Sequence, residues 1–290
     1  MKKMKMKKIG IFVKAQDSAM AKAKELEAWL KAQGIEVVCK QNIPAPITSK
    51  ECLVENIQKA PEDLSCVVVL GGDGTFLSAV RWIQDTGVPV LGMNLGAFGF
   101  LTESSVEHLF PVMEGIAEGA FTTEERILLT AKVLQKDVQL VSQNVLNDVV
   151  INKDALARTV HIRTYIDDDY LTTYKADGLI VATPTGSTAY TLSAGGPIIY
   201  PTLNTIIMTP ICPFTLTVRP LVLPDTATIR IGMEEQDAPV FLTFDGQVGL
   251  HVTHEDAIII EKAPHTIRML RPTDLHYYHV LKEKLRWGGR

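Results

Sequence analysis

Cys66-Val67-Val68-Val69-Leu70 runs directly into Gly71-Gly72-Asp73-Gly74-Thr75, and helical spacing follows from about Phe76 to Gln84. An apolar run of five, a glycine-rich turn and a helical pattern read as strand, tight turn and helix. Glycine lacks a Cβ, so the main chain at such a turn comes close to a ligand. Successive N–H groups feeding a helix N-terminus then form a concave site for phosphate. Asp73 stands apart within that cradle, because a carboxylate repels phosphate. It fits as a group that holds a ribose hydroxyl, a metal ion or a proton in transit. The plain alternative is a turn whose glycines serve geometry alone; three glycines around an acid weigh against it.

Outward from this loop the first hundred residues alternate in period. Lys8–Val13 is a short apolar run, and Asp17–Lys31 carries Ala19, Ala23, Leu26 and Leu30 at helical spacing, with Gly34 to end it. Ile35–Cys39 reads as a strand, followed by a loop through Pro44 and Pro46 and a helix around Lys50–Lys59. Cys66–Leu70 and Val88–Leu91 are two more strands. Strand–helix–strand alternation means parallel strands joined by crossovers, with ligands bound beyond their carboxyl ends. Gly71–Thr75 lies at one such end.

After about Arg126 short β-rich runs take over: Leu128–Leu134, Val138–Val141, Val145–Asn152, Thr159–Ile166, Tyr170–Tyr174, Leu179–Ala182, Phe214–Val218, Ala227–Ile231, Val240–Phe244 and Ala257–Glu261. Turn residues punctuate them as in an antiparallel sandwich or barrel-like domain. Asp167-Asp168-Asp169 reads as the exposed tip of a hairpin. The tail, Asp274–Trp287, returns to helical spacing with Tyr278, Leu281 and Leu285 on one face. Too isolated to be stable alone, it is expected to dock on the first domain.

The 290 residues are 46% hydrophobic and 21% charged, enough for a sizeable core in one large or two ordinary domains. A net charge of −4 supplies no basic field to draw the chain onto nucleic acid or anionic lipid. The Lys-rich stretch Met1–Lys8 is followed by only five apolar residues, Ile9 to Val13, too short for a signal peptide or a membrane span. Cys39, Cys52, Cys66 and Cys212 show no C-x-x-C spacing, which argues against zinc and a disulfide framework and for a reducing cytoplasm.

Three more stretches carry chemistry. Asn147-Asp148 sits inside the apolar run Val145–Ile151, where polar groups need partners or cost a few kcal/mol if buried; a bulge or an internally satisfied pair explains them equally well. Ala176-Asp177-Gly178, Thr183-Pro184-Thr185-Gly186-Ser187-Thr188-Ala189-Tyr190 and Ser193–Pro197 bring hydroxyls, a glycine turn and Tyr190 to one place. Phe244-Asp245-Gly246-Gln247 reads on its own as a hairpin turn.

Taken together these motifs resemble the bacterial NAD kinase family over nearly the whole chain: G-G-D-G-T at Gly71–Thr75, N-L-G-x-x-G-F-L at Asn94–Leu101, N-D at Asn147-Asp148, the block Ala176–Tyr190, S-A-G-G-P at Ser193–Pro197, D-G-Q at Asp245–Gln247 and W-G at Trp287-Gly288. The resemblance implies an α/β fold class. A Rossmann-like α/β domain over 1–125 would be joined by a C-terminal helix within 272–290 and followed by an all-β sandwich-like domain over 126–271. It implies phosphorylation of the adenosine ribose 2′-hydroxyl of NAD by ATP or another phosphoryl donor, with a divalent metal, Mg²⁺ by preference, whose protein ligands stay unassigned. Asp73 matches the family's proton acceptor, with Gly74 beside it and Gly71, Gly72 and Thr75 on the phosphate-donor loop. Asn147 and Asp148 match the pair that holds adenosine or ribose. Arg158, Lys175 and Asp177 fall where the family contacts the dinucleotide. Thr188, Ala189, Tyr190, Thr191, Leu192 and Ser193 match the segment that wraps it, and Gln247 a further contact. Family members are commonly homodimers or tetramers, so a homo-oligomer in the cytoplasm, with neither nucleic acid nor membrane as partner, is expected.

Ala97-Phe98, Cys212 and Phe214 depart from the family pattern, which bears on fine specificity rather than on the reaction. Two competitors share parts of the pattern. A diacylglycerol-type lipid kinase has the G-G-D-G element, and a non-catalytic dinucleotide sensor would need the binding site but not Asp73.

Overall fold

The computed structural model describes residues 4, 6–43, 58–96, 98–153, 159–235, 240–273 and 277–287. The expected helix around Lys50–Lys59 falls almost entirely outside them, as do Arg158 and Ala97. The chain forms two units, the first with the described residues within 1–44, 57–125 and 267–290, the second with those within 126–266.

The first unit opens with β1 (Lys8–Lys14), α1 (Asp17–Ala32), β2 (Glu36–Asn42), β3 (Cys66–Leu70), α2 (Asp73–Ile83), β4 (Val90–Asn94), the two-residue β5 (Ser104–Ser105) and α3 (Leu109–Glu118). Strands pair in parallel in the order β2-β1-β3-β4. Every residue of β3 and β4 is buried, as expected for strands covered on both faces. α1 buries Ala19, Ala23, Leu26 and Leu30, the apolar set its spacing announced. Connections leaving β1 and β3 run in opposite directions across the sheet. Their carboxyl ends therefore bound a topological switch point, the usual ligand crevice of such sheets. Gly71 follows β3 directly there. α2 starts at Asp73, three residues before the pattern suggested, because Asp73, Gly74 and Thr75 already form its first turn.

The strands that follow are β6 (Phe121–Gln135), β7 (Val138–Val145), β8 (Asp148–Lys153), β9 (Val160–Ile166), β10 (Asp169–Ala176) and β11 (Gly178–Ala182). The short helix α4 (Tyr190–Ser193) precedes β12 (Thr205–Ile211), β13 (Leu221–Pro224), β14 (Ile229–Met233), β15 (Val240–Phe244), β16 (Val248–Val252) and β17 (Asp256–Pro272). In the second unit one antiparallel sheet runs β13-β12-β11-β8-β15-β16. β10, β9, β14 and β17 pair antiparallel in a second. Val149, Ile151, Leu179 and Val181 from the first pack in one core with Ile162, Ile229, Ile231 and Ile258 from the second. That is a sandwich, with alternation in β14 putting Ile229, Ile231 and Met233 inside and Arg230 outside.

Several expectations change. Phe214–Val218 is not a strand: Cys212 takes φ +45° and turns the chain, leaving Phe214 and Leu216 72% and 87% exposed. Phe214 N–H still donates to Lys175 O of β10 at 2.8 Å, but β-propensity without a continuing ladder of pairs does not make a strand. The run Val145–Asn152 is broken at Leu146-Asn147, for a reason given below. β12, β13 and β16 were not picked out, and β17 runs well past Glu261. Asp167-Asp168 does form the β9–β10 hairpin tip, with Asp167 at φ +51°. The closing helix α5 (Tyr277–Leu285) belongs to the first unit and buries Tyr277, Val280 and Leu281.

Candidate active site

In the first unit the glycine loop is built by steric necessity. A Cβ on Gly71 would stand 2.4 Å from Thr75 Oγ1, so only glycine lets the chain double back after β3. Gly72 is extended and precedes Asp73, the first residue of α2, where the helix N-terminus favours a carboxylate. The Asp73 carboxylate is held from one side. Phe100 N–H donates to Oδ2 at 2.9 Å; the Leu101 and Thr102 N–H groups and the Thr102 hydroxyl all donate to Oδ1 at 3.1 Å. Gly99 sits so close that its Cβ would fall 2.0 Å from Asp73 Oδ1. Oδ1 therefore carries three hydrogen bonds and Oδ2 one, which leaves Oδ2 with the greater unused acceptor capacity. The donors of 100–102 are mostly backbone, so side-chain pattern alone carried no sign of them.

In the second unit Asn147 and Asp148 gather around a different acid. Asp245, at φ +51° in the β15–β16 turn, accepts the N–H groups of Leu146 at 3.0 Å, Asn147 at 2.7 Å and Asp148 at 3.2 Å. This capture is what breaks the expected strand between β7 and β8. Asp148 is 4% exposed and accepts the Tyr190 N–H. Burial first, and the neighbouring Asp245 charge second, push its pKa up to about 7. A cleft of about 390 Å³ opens here, lined by Asn147, Asp148, Tyr190, Thr243, Asp245 and Gly246.

The Thr183–Tyr190 block folds onto the same place. Thr183 Oγ1 donates to Leu146 O at 2.5 Å and accepts the Gly186 N–H at 3.1 Å. A Cβ on Gly186 would meet Asn147 O at 2.1 Å. Thr188 caps its own short turn through Thr185 O, Ala189 N–H bonds Gly186 O, and Tyr190 stands 41% exposed. Thr191 is fully buried, Leu192 half-buried and Ser193 exposed. Gln247 closes the β15–β16 turn through its N–H to Phe244 O. Asp177 pairs with Lys153 at 2.9 Å, and Lys175 Nζ lies 4.8 Å from the Phe214 ring centroid. Lys153 was not singled out from sequence, and Thr183 only as part of the hydroxyl-rich block. Asp245 was noticed as a turn residue and as part of the D-G-Q motif, but not as the acid that collects N–H groups of residues 146–148.

One unit thus carries a glycine-and-acid loop at the end of a parallel strand, and the other a sandwich with a polar cleft. The ATP-NAD kinase N-terminal domain family matches residues 9–121 and the ATP-NAD kinase C-terminal domain family residues 146–271. An NAD kinase of Desulfatibacillum aliphaticivorans is 50% identical, covering 98% of this chain and 99% of that one; one of Geobacter sulfurreducens is 44% identical over 98% and 100%. The crystal structure of yeast NADH kinase complexed with NADH superposes with a TM-score of 0.81 at 26% identity, over 98% of this chain and 89% of that one. An Archaeoglobus fulgidus NAD kinase in complex with ATP gives 0.71 at 25% identity, over 96% and 98%. The chain belongs to the NAD kinase family, phosphotransferases that make NADP. The match through both domains leaves no place for the lipid-kinase reading.

Proposed function

We propose that this chain transfers the γ-phosphoryl group of ATP to the 2′-hydroxyl of the adenosine ribose of NAD, giving NADP and ADP. The observation that carries this reading is the Asp73 carboxylate, held at a glycine loop with Oδ2 bonded only once. As the hydroxyl oxygen bonds to the γ-phosphorus and the bond to the β-phosphate oxygen breaks, Asp73 accepts the hydroxyl proton. General-base help of this kind is worth ~10²–10⁴-fold. Gly71, Gly72, Gly74 and Thr75 offer backbone to the donor phosphates. Asn147 and Asp148 hold adenosine or ribose, and Thr188–Ser193 wrap the dinucleotide. Arg158, Lys175, Asp177 and Gln247 complete its contacts.

A divalent cation, Mg²⁺ by the chemistry of triphosphate donors, belongs to this reading. Among the described residues no three His, Cys, Asp or Glu converge as a ready-made cage. Mg²⁺ does not need one, since it binds through substrate phosphates, waters and one or two carboxylates, and Asp73 is the carboxylate of the loop. When bound, it neutralises charge on the transferred group. We further place the enzyme in the cytoplasm as a homodimer or homotetramer. Supporting this, Cys39, Cys66 and Cys212 are free thiols, no described helix is long and apolar enough to cross a membrane, and β10 ends its sheet with Tyr170 and Leu171 exposed.

The test is incubation with NAD, ATP and Mg²⁺, with NADP read through an NADP-specific dehydrogenase and Asp73→Asn run alongside. Turnover in the parent and a loss of about a hundredfold or more in the variant, with NAD still bound, is expected. Undiminished turnover in the variant removes Asp73 as base. No NADP from folded parent, with polyphosphate also tried as donor, sinks the reading.

A further inference from the structure

Arg271 stands near the end of β17 with its side chain 5% exposed, between two carboxylates of the same unit. Its Nε donates to Glu103 Oε2 at 2.8 Å, Nη2 lies 2.7 Å from that oxygen, and Nη1 pairs with Glu124 Oε1. Burial works against the guanidinium charge; Glu103 first and then Glu124 outweigh it, and the pKa is raised. Buried ion groups of this kind return little net stability compared with apolar residues of the same volume. Their arrangement here has a local consequence.

Glu103 directly follows Thr102 in the segment that holds Asp73. That segment is gripped from its far side as well. Asn94 Nδ2 donates to Thr102 O and to Ser104 O, each at 3.0 Å, so it spans Glu103. Gly99 N–H donates to Thr102 O at 3.2 Å. A Cβ on Gly92 would meet Leu101 O at 2.4 Å, so the segment also lies hard against β4. Asn94 and β4 fix the backbone, while Arg271 fixes the side chain between the two carbonyls Asn94 holds.

We propose that Arg271 and Glu103 are positioning residues for phosphoryl transfer: their buried ion pair keeps residues 100–102 in the arrangement that aims the Asp73 carboxylate. This rests on the Asp73 reading above. Without the pair the segment relaxes around Glu103, the N–H groups of 100–102 drift, and Asp73 turns from its bearing. Misplacement of a reacting group by about 1 Å is enough to cost on the order of 10²-fold.

A double-mutant cycle tests it. Glu103→Gln and Arg271→Met are each made in the parent and in Asp73→Asn, and kcat, the NAD dissociation constant and thermal unfolding are measured for all. Each single change is expected to lower kcat by about ten- to a hundredfold while NAD affinity stays within about twofold. In the Asp73→Asn background the same change moves kcat by less than about twofold, because nothing remains to aim. Arg271→Lys recovers part of the loss, since it restores charge but not the fork. Equal losses in both backgrounds mean a merely structural pair and overturn the proposal, as does parental kcat in Glu103→Gln. Should Arg271→Met fail to fold, the cycle with Glu103→Gln, which keeps the side chain's size, decides alone. Parental activity in Asp73→Asn is a separate result: it removes the Asp73 reading on which the pair depends.

Discussion

The Asp245 carboxylate accepts the backbone N–H of Asp148 at 3.2 Å, and its charge lies against the buried Asp148 carboxyl. Two acids at one corner divide their roles by surroundings. Asp245 collects three N–H donors and is the charged member; Asp148 has the Tyr190 N–H, little water and a pKa of about 7.

A pH dependence of stability follows. The folded pKa of Asp148 is raised above its ordinary 3.8, so its stabilising contribution is fully present below about pH 4 and is lost as pH rises through about 7. The accumulated loss is at most about 4 kcal/mol. Asp148→Asn should remain neutral throughout and gain on the parent between pH 5 and pH 8 in thermal unfolding of the free protein. Parallel melting curves for the two across that range would falsify the assignment.

Gly99→Ala places a methyl group where Asp73 Oδ1 stands, at 2.0 Å. Overpacking of this kind costs about 1–3 kcal/mol, and the carboxylate is what must move. Turnover is expected to fall on the order of 10²-fold with NAD affinity little changed. Kinetics together with NAD titration check it; a rise in KM alone would show that Asp73 had not been displaced.

Thr183→Val removes a buried hydroxyl that bridges Leu146 O and the Gly186 N–H, while keeping the side chain's shape. Two groups lose their partner at about 1–3 kcal/mol each. Gly186→Ala meets backbone at Asn147 O and cannot be relieved by a side-chain rotation. Both should weaken NAD binding, Gly186→Ala more severely, as read by titration calorimetry. Parental affinity in Gly186→Ala would mean that Asn147 is not held by this contact.

Lys153 and Asp177 form an ion pair with about a third of each side chain exposed. Such pairs contribute about 0–1 kcal/mol, so Lys153→Met should barely change the denaturation midpoint. Its effect should appear in KM for NAD, because Asp177 then lacks the partner that sets its direction. A parental KM would show that Asp177 is oriented without Lys153.

If, as proposed, a divalent cation acts with the donor phosphates, chelation should stop NADP formation and leave NAD titration intact. Loss of NAD binding in chelator would place the ion in the dinucleotide site instead.

Local chemistry made much of this protein readable from its residues. The apolar run before Gly71, the helical spacing of Ala19, Ala23, Leu26 and Leu30, and the turn chemistry at Asp167 and Asp245 are written in a few neighbouring positions each. The motifs from Gly71 to Gln247 stood out by their glycine and hydroxyl content, while the roles proposed for their residues came from the resemblance to the NAD kinase family. What stayed hidden depends on partners distant in sequence. Phe214–Val218 has strand composition but forms no ladder, because the chain turns at Cys212. Val145–Asn152 reads as continuous until Asp245, almost a hundred residues away, takes its N–H groups. Three of the four donors that hold Asp73 are backbone N–H groups, identical at every residue, and only the fold brings Phe100, Leu101 and Thr102 to it. Arg271, Glu103 and Glu124 are ordinary charges in sequence; burial in one place, which tertiary packing alone decides, makes them a brace. The residue types and the class of chemistry are thus local properties of the chain, whereas the direction in which each group points comes from contacts that only folding closes.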